Sequence, residues 1–315
     1  MSQIKLHILG CGSAKPSASH KPSCQVLDLR NNLMMIDCGE GAQGEFMRQH
    51  LKFSRLNHIF LSHLHGDHCL GLPGLISTMA LHGHGGKITI HTFEEGAEIF
   101  KRIFEVFCTE TPFEIHFNIV DKKHRAIVYE DDALKVWSIP LKHRVPAVGY
   151  LFEEKPKARH INAYALQRYE VPTSMVNRLR LGEDYTAPDG TVVPNEVLTT
   201  APDASVSYAY ISDTAYSPKI VKEIEGVTWL YHESTYDSSL EALAKKRYHS
   251  TARQAAEAAK DSGAAHLILG HYSSRYGGNE TLLLEEAKAV FDNTILAKEG
   301  MCIELDAKTA HIITE

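Results

Sequence analysis

Apolar and polar residues alternate at the start of the chain, where Ile4, Leu6 and Ile8 are separated by Lys5 and His7. This alternation predicts a strand with one face against a core. Short apolar runs predict further strands at residues 23–29 and 33–36 (a hairpin turning at 30–32), 58–62, 87–91, 115–120, 125–129 and 134–139. Helical patterns occupy residues 41 to about 50, 72–81 and 94–107.

A second batch of elements resumes after residue 205. Strands are predicted at residues 206–211, 227–231, 266–269, 294–297 and 301–305, and helices at 250–262 and 279–291. The first of these helices opens on Thr251-Ala252-Arg253-Gln254, a capping-box pattern, and ends at Gly263. Two comparable batches of strands and helices favour two sheets packed together with helices outside.

Residues 153–201 break this pattern, because they are rich in proline and charge and have few sustained apolar periods. A short amphipathic helix at 163–169 is the one regular element predicted there. We interpret the segment as an inserted arm on a single domain spanning residues 1–315, and not as a separate domain. Between residues 155 and 180 it is basic, with one acid, Glu170, against six cations: Lys155, Lys157, Arg159, Arg168, Arg178 and Arg180.

The chain as a whole carries a formal net charge of −6, which by itself speaks against a nucleic-acid partner. A local basic stretch attracts phosphates whatever the net charge is. On charge alone, a phosphate-binding surface and an ordinary solvated face are equally good interpretations of the arm.

Composition limits the class of protein. With 315 residues, 43% hydrophobic and 23% charged, the chain is typical of a globular α/β protein with ample core. It has no apolar run of 18 residues, and its start lacks a signal-peptide layout, so we expect a cytoplasmic protein without a membrane span. Six widely spaced cysteines without a C-x-x-C pair argue against a disulfide framework or a zinc ribbon.

The densest chemistry is the stretch His63-Leu64-His65-Gly66-Asp67-His68, which follows a predicted buried strand. A loop at a strand end can turn several side chains toward one point. Neutral imidazoles and carboxylates are ligands that Zn²⁺ selects. Cys69 borders the motif and is expected to be a small buried hydrophobe. The stretch therefore predicts a metal site at His63, His65, Asp67 and His68.

Three later residues stand in comparable positions. His143, Asp213 and His271 each come a few residues after a predicted strand, where they could converge with the histidine motif. Each alone is an ordinary loop residue, but their joint placement favours a shared site. The His82-to-Gly86 tract is interpreted as a glycine-rich loop, and His58, His232 and His266 as core residues or neighbours of the ligands.

Over nearly its whole length the sequence resembles the ribonuclease Z family of the metallo-β-lactamase superfamily. The histidine motif with its preceding Leu61-Ser62 is typical of the superfamily. The blocks that resemble ribonuclease Z in particular are Asp37-Cys38-Gly39-Glu40-Gly41-Ala42-Gln43, His249-Ser250-Thr251 and Ser273-Ser274-Arg275-Tyr276. Gly10-Cys11-Gly12-Ser13-Ala14, Ser212-Asp213-Thr214 and His232-Glu233-Ser234-Thr235 also match.

The resemblance implies a four-layer αβ/βα metallo-β-lactamase sandwich holding two Zn²⁺ per subunit, with Mn²⁺ or Fe²⁺ as alternatives. His63, His65 and His143 would bind one ion, Asp67, His68 and His271 the other, and Asp213 would bridge them. Asp67 would also act on the attacking water, and His249, oriented by Glu233, would donate a proton to the leaving group. From the residues alone, His249 is equally a surface residue near a helix start and Glu233 a structural partner.

The implied activity is a zinc-dependent endoribonuclease that removes the 3′ trailer of precursor tRNA and leaves a 3′-hydroxyl, in a homodimer that binds neither DNA nor membrane. The arm, with its six cations, would bind the tRNA. Two places depart from the family pattern: His20-Lys21 replaces an arginine-asparagine pair, and the arm lacks a glycine-proline pair near Val171-Pro172. The alternatives are a phosphodiesterase or other small-molecule hydrolase of the same fold, or a non-catalytic RNA-binding homologue.

Overall fold

The structure, a computed structural model, describes residues 4–30, 32–306 and 310–313. Two parts of the sequence discussed above lie outside these ranges: Asn31 in the predicted hairpin turn, and residues 1–3 at the start of the chain. The strands are β1 Ile4–Gly10, β2 Cys24–Leu29, β3 Asn32–Ile36, β4 Leu56–Phe60, β5 Gly86–Thr92, β6 Phe113–Ile119, β7 Ala126–Glu130, β8 Leu134–Pro140, β9 Val148–Glu154, β10 His160–Ile161, β11 Tyr185–Thr186, β12 Val192–Val193, β13 Thr199–Thr200, β14 Ser207–Ile211, β15 Trp229–Glu233, β16 His266–Gly270, β17 Thr294–Leu296, β18 Cys302–Leu305 and β19 Ala310–Ile313.

The helices follow the same chain order. They are α1 Ala42–Arg48, α2 Gly66–Cys69, α3 Leu72–Leu81, α4 Glu94–Phe107, α5 Ala163–Arg168, α6 Val176–Arg180, α7 Asn195–Leu198, α8 Pro218–Glu223, α9 Glu241–Arg247, α10 Ala252–Ser262 and α11 Thr281–Lys288. The predicted bounds of α3 and α4 are confirmed. The capping box of α10 is also confirmed, with Thr251 at the N-cap and Gly263 in the left-handed region at the C-cap.

The first sheet has eight strands in the order β19-β18-β1-β2-β3-β4-β5-β6. Its β3, β4, β5 and β6 are parallel, so their carboxyl ends lie at one edge. Its outer face is covered by α1, α3 and α4, whose Phe46, Leu75 and Phe100 pack in one buried cluster with Val26 and Ile90.

The second sheet has seven strands in the order β17-β16-β15-β14-β9-β8-β7, of which β14 to β17 are parallel. Helix α10 packs on β15 and β16 and is flanked by α8 and α11. The sheets face each other: Phe60 of β4 lies 5.3 Å from the rings of both Tyr150 and Phe152 of β9. Helix, sheet, sheet and helix therefore form the four predicted layers.

Strand β9 is not among the strands predicted from the sequence. Val148-Gly149-Tyr150-Leu151-Phe152 is buried on both faces, so it shows no polar alternation, and it pairs with β14 in the middle of the sheet. Helices α8 and α9 were also missed, because each is only one to two turns long.

The chain divides into two compact units, one of residues 1–130, 135–153 and 206–315 and the other of residues 131–134 and 154–205. The second unit contains nearly all of the segment predicted as an arm. It has its own small core of Ala165, Leu179, Tyr185, Val193 and Leu198, gathered from α5, α6, α7 and two short hairpin pairs. Helix α5 was predicted, whereas the core was not, because its apolar residues follow no single period. Among the described residues, no helix is both long and apolar enough to cross a membrane.

Candidate metal centre

Strand ends bring the predicted ligands together within the first unit. His63 follows β4, His143 follows β8, Asp213 follows β14 and His271 follows β16 directly. Helix α2, one turn long, then carries Asp67 and His68 back toward the same point. Open α/β sheets place sites at the carboxyl ends of their strands for the same reason, since loops from several strands meet there.

One group consists of His63, His65, His143 and Asp213, whose ligand atoms all lie within 4.8 Å of one another. The facing atoms are His63 Nε2, His65 Nδ1, His143 Nε2 and Asp213 Oδ2. His65 Nδ1 lies 3.0 Å from His63 Nε2 and 3.3 Å from His143 Nε2. Ligand atoms on a tetrahedral ion at about 2.0–2.1 Å lie roughly 3.3 Å apart, so this spacing suits a divalent cation.

A second group consists of Asp67 Oδ2, His68 Nε2 and His271 Nε2, separated by 3.3 to 3.6 Å. Asp213 faces both groups. Its Oδ2 lies 3.7 Å from His63 Nε2, while its Oδ1 lies 3.0 Å from His271 Nε2 and 3.4 Å from His68 Nε2. The structure thus brings together all seven predicted ligands and places Asp213 between the two groups.

Hydrogen bonds outside the site orient the histidines. His143 Nδ1 donates to the Tyr248 carbonyl at 3.0 Å, and His68 Nδ1 donates to Asp37 at 2.7 Å. His271 Nδ1 lies 2.9 Å from Thr235 Oγ1, whose own proton goes to Glu233, so the ring nitrogen is the donor. In each ring the proton sits on Nδ1 and the Nε2 lone pair faces the site, which is the form that binds a metal.

Asp37 organises this outer layer from a fully buried position at the end of β3. Its carboxylate accepts hydrogen bonds from the Ser62 amide and hydroxyl, from the Tyr210 hydroxyl and from His68. Its φ of +56° is in the left-handed region, as is the +58° of His271. Such backbone conformations are uncommon for residues other than glycine and collect at functional sites.

Electrostatics at the site favour a bound cation. Burial lowers the pKa of His63, His65 and His143, which keeps them neutral. Burial also lowers the pKa of His271, but Asp213 and Asp67 outweigh it and raise that pKa to about 10. The carboxylates therefore create a potential that attracts positive charge, and the donor set fits divalent metal ions.

A histidine–carboxylate pair stands beside the ligands. His249 Nδ1 donates to Glu233 Oε1 at 2.9 Å. Glu233, fully buried at the end of β15, also accepts from the Thr214 amide and the Thr235 hydroxyl. Burial lowers the pKa of His249, but the Glu233 carboxylate raises it by more than burial lowers it, so the net pKa is raised. The same pairing lowers the pKa of Glu233 although burial opposes this.

A cavity of about 540 Å³ opens over these groups. Asp67, His143, Asp213, His249 and His271 line it, and four cations stand around it: Lys15, Arg144, Arg247 and Arg275. Sequence reasoning singled out none of the four as a site residue, although Arg275 stands in a family block and Arg144 directly follows His143. The cations suit a negatively charged substrate.

The six basic residues of the second unit are placed unequally. Lys157 pairs with Glu154 at 2.9 Å and Arg178 with Glu183 at 2.6 Å, while Arg159 donates to Thr199 Oγ1. Lys155 is partly buried, and Arg168 and Arg180 are exposed.

Other residues considered from the sequence lie outside the ligand groups. The His82-to-Gly86 tract is a loop up to residue 85, and His84 Nδ1 donates to the Phe53 carbonyl. Cys69 is buried and its thiol donates to the His65 carbonyl. Burial raises the pKa of that thiol to about 12. His58 contacts His91, and His266 stacks on Trp229.

The chain as a whole is similar to proteins of known family. A family model described as "Anti-Pycsar protein Apyc1" matches residues 4–102, under a third of the chain. Ribonuclease Z of Porphyromonas gingivalis is 50% identical over 97% of this chain and all of its own length. The short form of human tRNase Z is 25% identical, with a TM-score of 0.68 over 96% of this chain and 99% of that one.

A metallo-β-lactamase fold protein from Bacillus subtilis is 18% identical, with a TM-score of 0.65 over 95% of this chain and 98% of that one. This likeness confirms the predicted fold. With half its residues shared along the full length of a curated relative, the chain belongs to the ribonuclease Z family.

Proposed function

We propose that this protein is a zinc-dependent endoribonuclease that cuts precursor tRNA at the start of its 3′ trailer and leaves a 3′-hydroxyl on the tRNA. The observation that carries the proposal is Asp213, whose two oxygens face two separate ligand groups, with the His249–Glu233 pair beside them. A relative named ribonuclease Z, 50% identical, supports the substrate class.

His63, His65 and His143 would hold one Zn²⁺, and Asp67, His68 and His271 the other, with Asp213 shared. Mn²⁺ and Fe²⁺ accept the same nitrogen and oxygen donors. When bound, the two ions activate water at neutral pH and neutralise charge on the phosphodiester.

The protein's own groups handle the protons. Asp67 is held by the Ala14 amide, which donates to its Oδ2 at 2.6 Å, and its Oδ1 would take the proton of the attacking water. Because Glu233 occupies His249 Nδ1, Nε2 is the atom that would give a proton to the ribose 3′-oxygen, a poor leaving group. Glu233 keeps the imidazole in this orientation.

For substrate binding, we propose that the second unit is the tRNA-binding arm. Its exposed Arg168 and Arg180 fit phosphate contacts better than Lys157 and Arg178, which are paired with acids. The homodimer and the cytoplasmic location stay predictions from the family resemblance.

The direct test is cleavage of an end-labelled precursor tRNA with a 3′ trailer, beside a small chromogenic phosphodiester, in Zn²⁺ or Mn²⁺. A single cut at the trailer junction supports the proposal. Turnover of the small ester alone would replace it with a general phosphodiesterase, for which the cavity of about 540 Å³ is large enough.

The His249 assignment predicts a dependence on the leaving group. His249→Ala should lower kcat for precursor tRNA by roughly 100-fold or more, because a general acid contributes about that much. An ester that expels a nitrophenolate needs no proton, so its turnover should change only a few-fold. His116→Ala, at an exposed histidine paired with Glu114, is the control. Equal losses on both substrates would assign His249 a different role.

A further inference from the structure

A second cavity, of about 510 Å³, lies in the first unit between the end of β8 and helix α8. Its apolar floor includes Ile139, Leu141 and Ile220. Four basic residues line it: Lys123, Arg125, Lys142 and Lys219. We call this the β8–α8 groove.

The positive charge of the β8–α8 groove is largely unbalanced. Glu223 is the one acidic residue among those lining it, and it is paired with Arg125 at 3.1 Å. Among the described residues, no carboxylate oxygen lies within 4.0 Å of the ammonium groups of Lys123, Lys142 or Lys219. Three unpaired cations around one concave surface favour an anionic ligand with several charges.

The groove adjoins the metal centre through the chain itself. Lys142, which lines the groove, directly precedes the ligand His143, which lines the first cavity. The Lys142 amide donates to Thr214 Oγ1, and its carbonyl accepts from the Ala215 amide, beside the ligand Asp213. Neighbouring α-carbons are about 3.8 Å apart, so the linings of the two cavities meet at Lys142 and His143, and a strand of nucleic acid that extends past His143 comes next to Lys142.

We propose that the β8–α8 groove binds the single-stranded 3′ trailer of the precursor, with phosphates at the three lysines and a base on the apolar floor. The proposal rests on the proposed function. A concave pocket with an apolar floor suits a flexible single strand whose bases are free to stack. A duplex presents a convex, rigid backbone instead, so the body of the tRNA fits this groove poorly.

The test compares wild type with Lys123→Gln/Lys219→Gln on two precursors that differ only in having a one-nucleotide or an eight-nucleotide trailer. The double variant should raise KM for the long trailer about 5- to 10-fold and leave the short one unchanged. Its slope of log KM against log salt for the long trailer should fall by about 1.4, since each single-strand phosphate contact contributes about 0.7. Lys222→Gln is the matched control, because Lys222 is an exposed lysine of the same helix that does not line the groove.

An equal rise in KM for both precursors would place the lysines on the body of the tRNA and overturn the proposal, as would no change at all. A direct binding measurement distinguishes failure of the groove proposal from failure of the proposed function. A fluorescent 5′-phosphorylated RNA octamer, the product trailer, should bind the metal-loaded double variant several-fold more weakly than wild type. If no precursor is cut but the octamer still distinguishes the two proteins, the groove stands while the proposed function falls. Equal octamer binding overturns the groove.

Discussion

Asp213 decides how the centre works at the level of single residues. The Asp213 carboxylate is buried, and each of its two oxygens faces a different ligand group. The ligands therefore depend on one another, and losing one should affect chemistry far more than binding of a large substrate.

His65→Ala tests this dependence. The change removes Nδ1 from the first ligand group, so cleavage of precursor tRNA should fall by on the order of 100-fold or more, at least the cost of removing a group that only orients a ligand. Bound metal, measured by elemental analysis, should fall as well. The Kd for precursor tRNA should stay close to wild type, because His65 makes few contacts with so large a substrate. A large loss of binding together with normal metal content would contradict the assignment.

His20 shows how a departure from the family pattern can be accommodated. It sits between two carboxylates, with Nε2 3.0 Å from Glu280 and Nδ1 3.1 Å from Glu299, and its ring centroid lies 5.4 Å from that of Tyr272. The hydrogen bond to Glu299 raises the pKa of His20 more than burial lowers it. Burial raises the pKa of Glu299, but His20 and backbone amides together outweigh burial, so the net pKa of Glu299 is lowered.

These directions give the pH dependence of stability. A raised His20 pKa stabilises the folded state fully below the unfolded value of about 6.5, and this is lost as pH rises through the folded pKa. A lowered Glu299 pKa stabilises above about 4.3 and is lost as pH falls. His20→Gln should therefore reduce the free energy of unfolding more at pH 6 than at pH 9.5, as measured by urea denaturation. His124→Gln, at an exposed histidine, is the control, and an equal loss at both pH values would refute the ion pair.

At the scale of secondary-structure elements, the start of helix α10 matters because it lies close to His249 in the chain. The Thr251 hydroxyl accepts from the Gln254 amide at 3.2 Å, and the Gln254 side chain accepts from the Thr251 amide at 3.1 Å. This reciprocal cap fixes where the helix begins, three residues after His249. The capping box and the closing Gly263 are local signals in the sequence, which is why this helix could be predicted from the sequence alone.

Thr251→Ala should lower the free energy of unfolding by about 1 kcal/mol, the usual cost of removing a cap. Thr251→Ser keeps the oxygen and should recover most of that loss. Urea denaturation of both variants measures the difference. Equal destabilisation by alanine and serine would show that packing of the buried threonine methyl matters instead of the cap.

At the scale of the whole molecule, the main segment of the second unit, residues 154–205, is an insertion between two paired strands. Glu153 of β9 and Ser207 of β14 are paired neighbours in the second sheet, so a short linker can replace what lies between them. The core of that unit is made of its own residues, and the seven predicted ligands belong to the other unit.

Replacing residues 155–204 by a short glycine-serine linker should raise KM for precursor tRNA at least 10-fold, because the arm's phosphate contacts are lost. Hydrolysis of the small phosphodiester should stay within about two-fold of wild type, since the ligands and their outer hydrogen bonds remain. Arg168→Gln/Arg180→Gln tests the charge alone and should give a smaller rise in KM. Equal loss of both activities in the linker variant would contradict a role in tRNA binding.

The sequence by itself determined the strands and helices with clear periods, the cap of α10 and the family. The ligand types were also readable, because six adjacent residues carry four of them. Strand β9, the core of the second unit and the cations around the metal centre came only from the tertiary structure. A central strand buried on both faces shows no alternation, and side chains from distant segments meet only when the sheets pack. The family resemblance implied that Asp213 lies between two ligand groups, and its position there results from strands β4, β8, β14 and β16 ending at one edge.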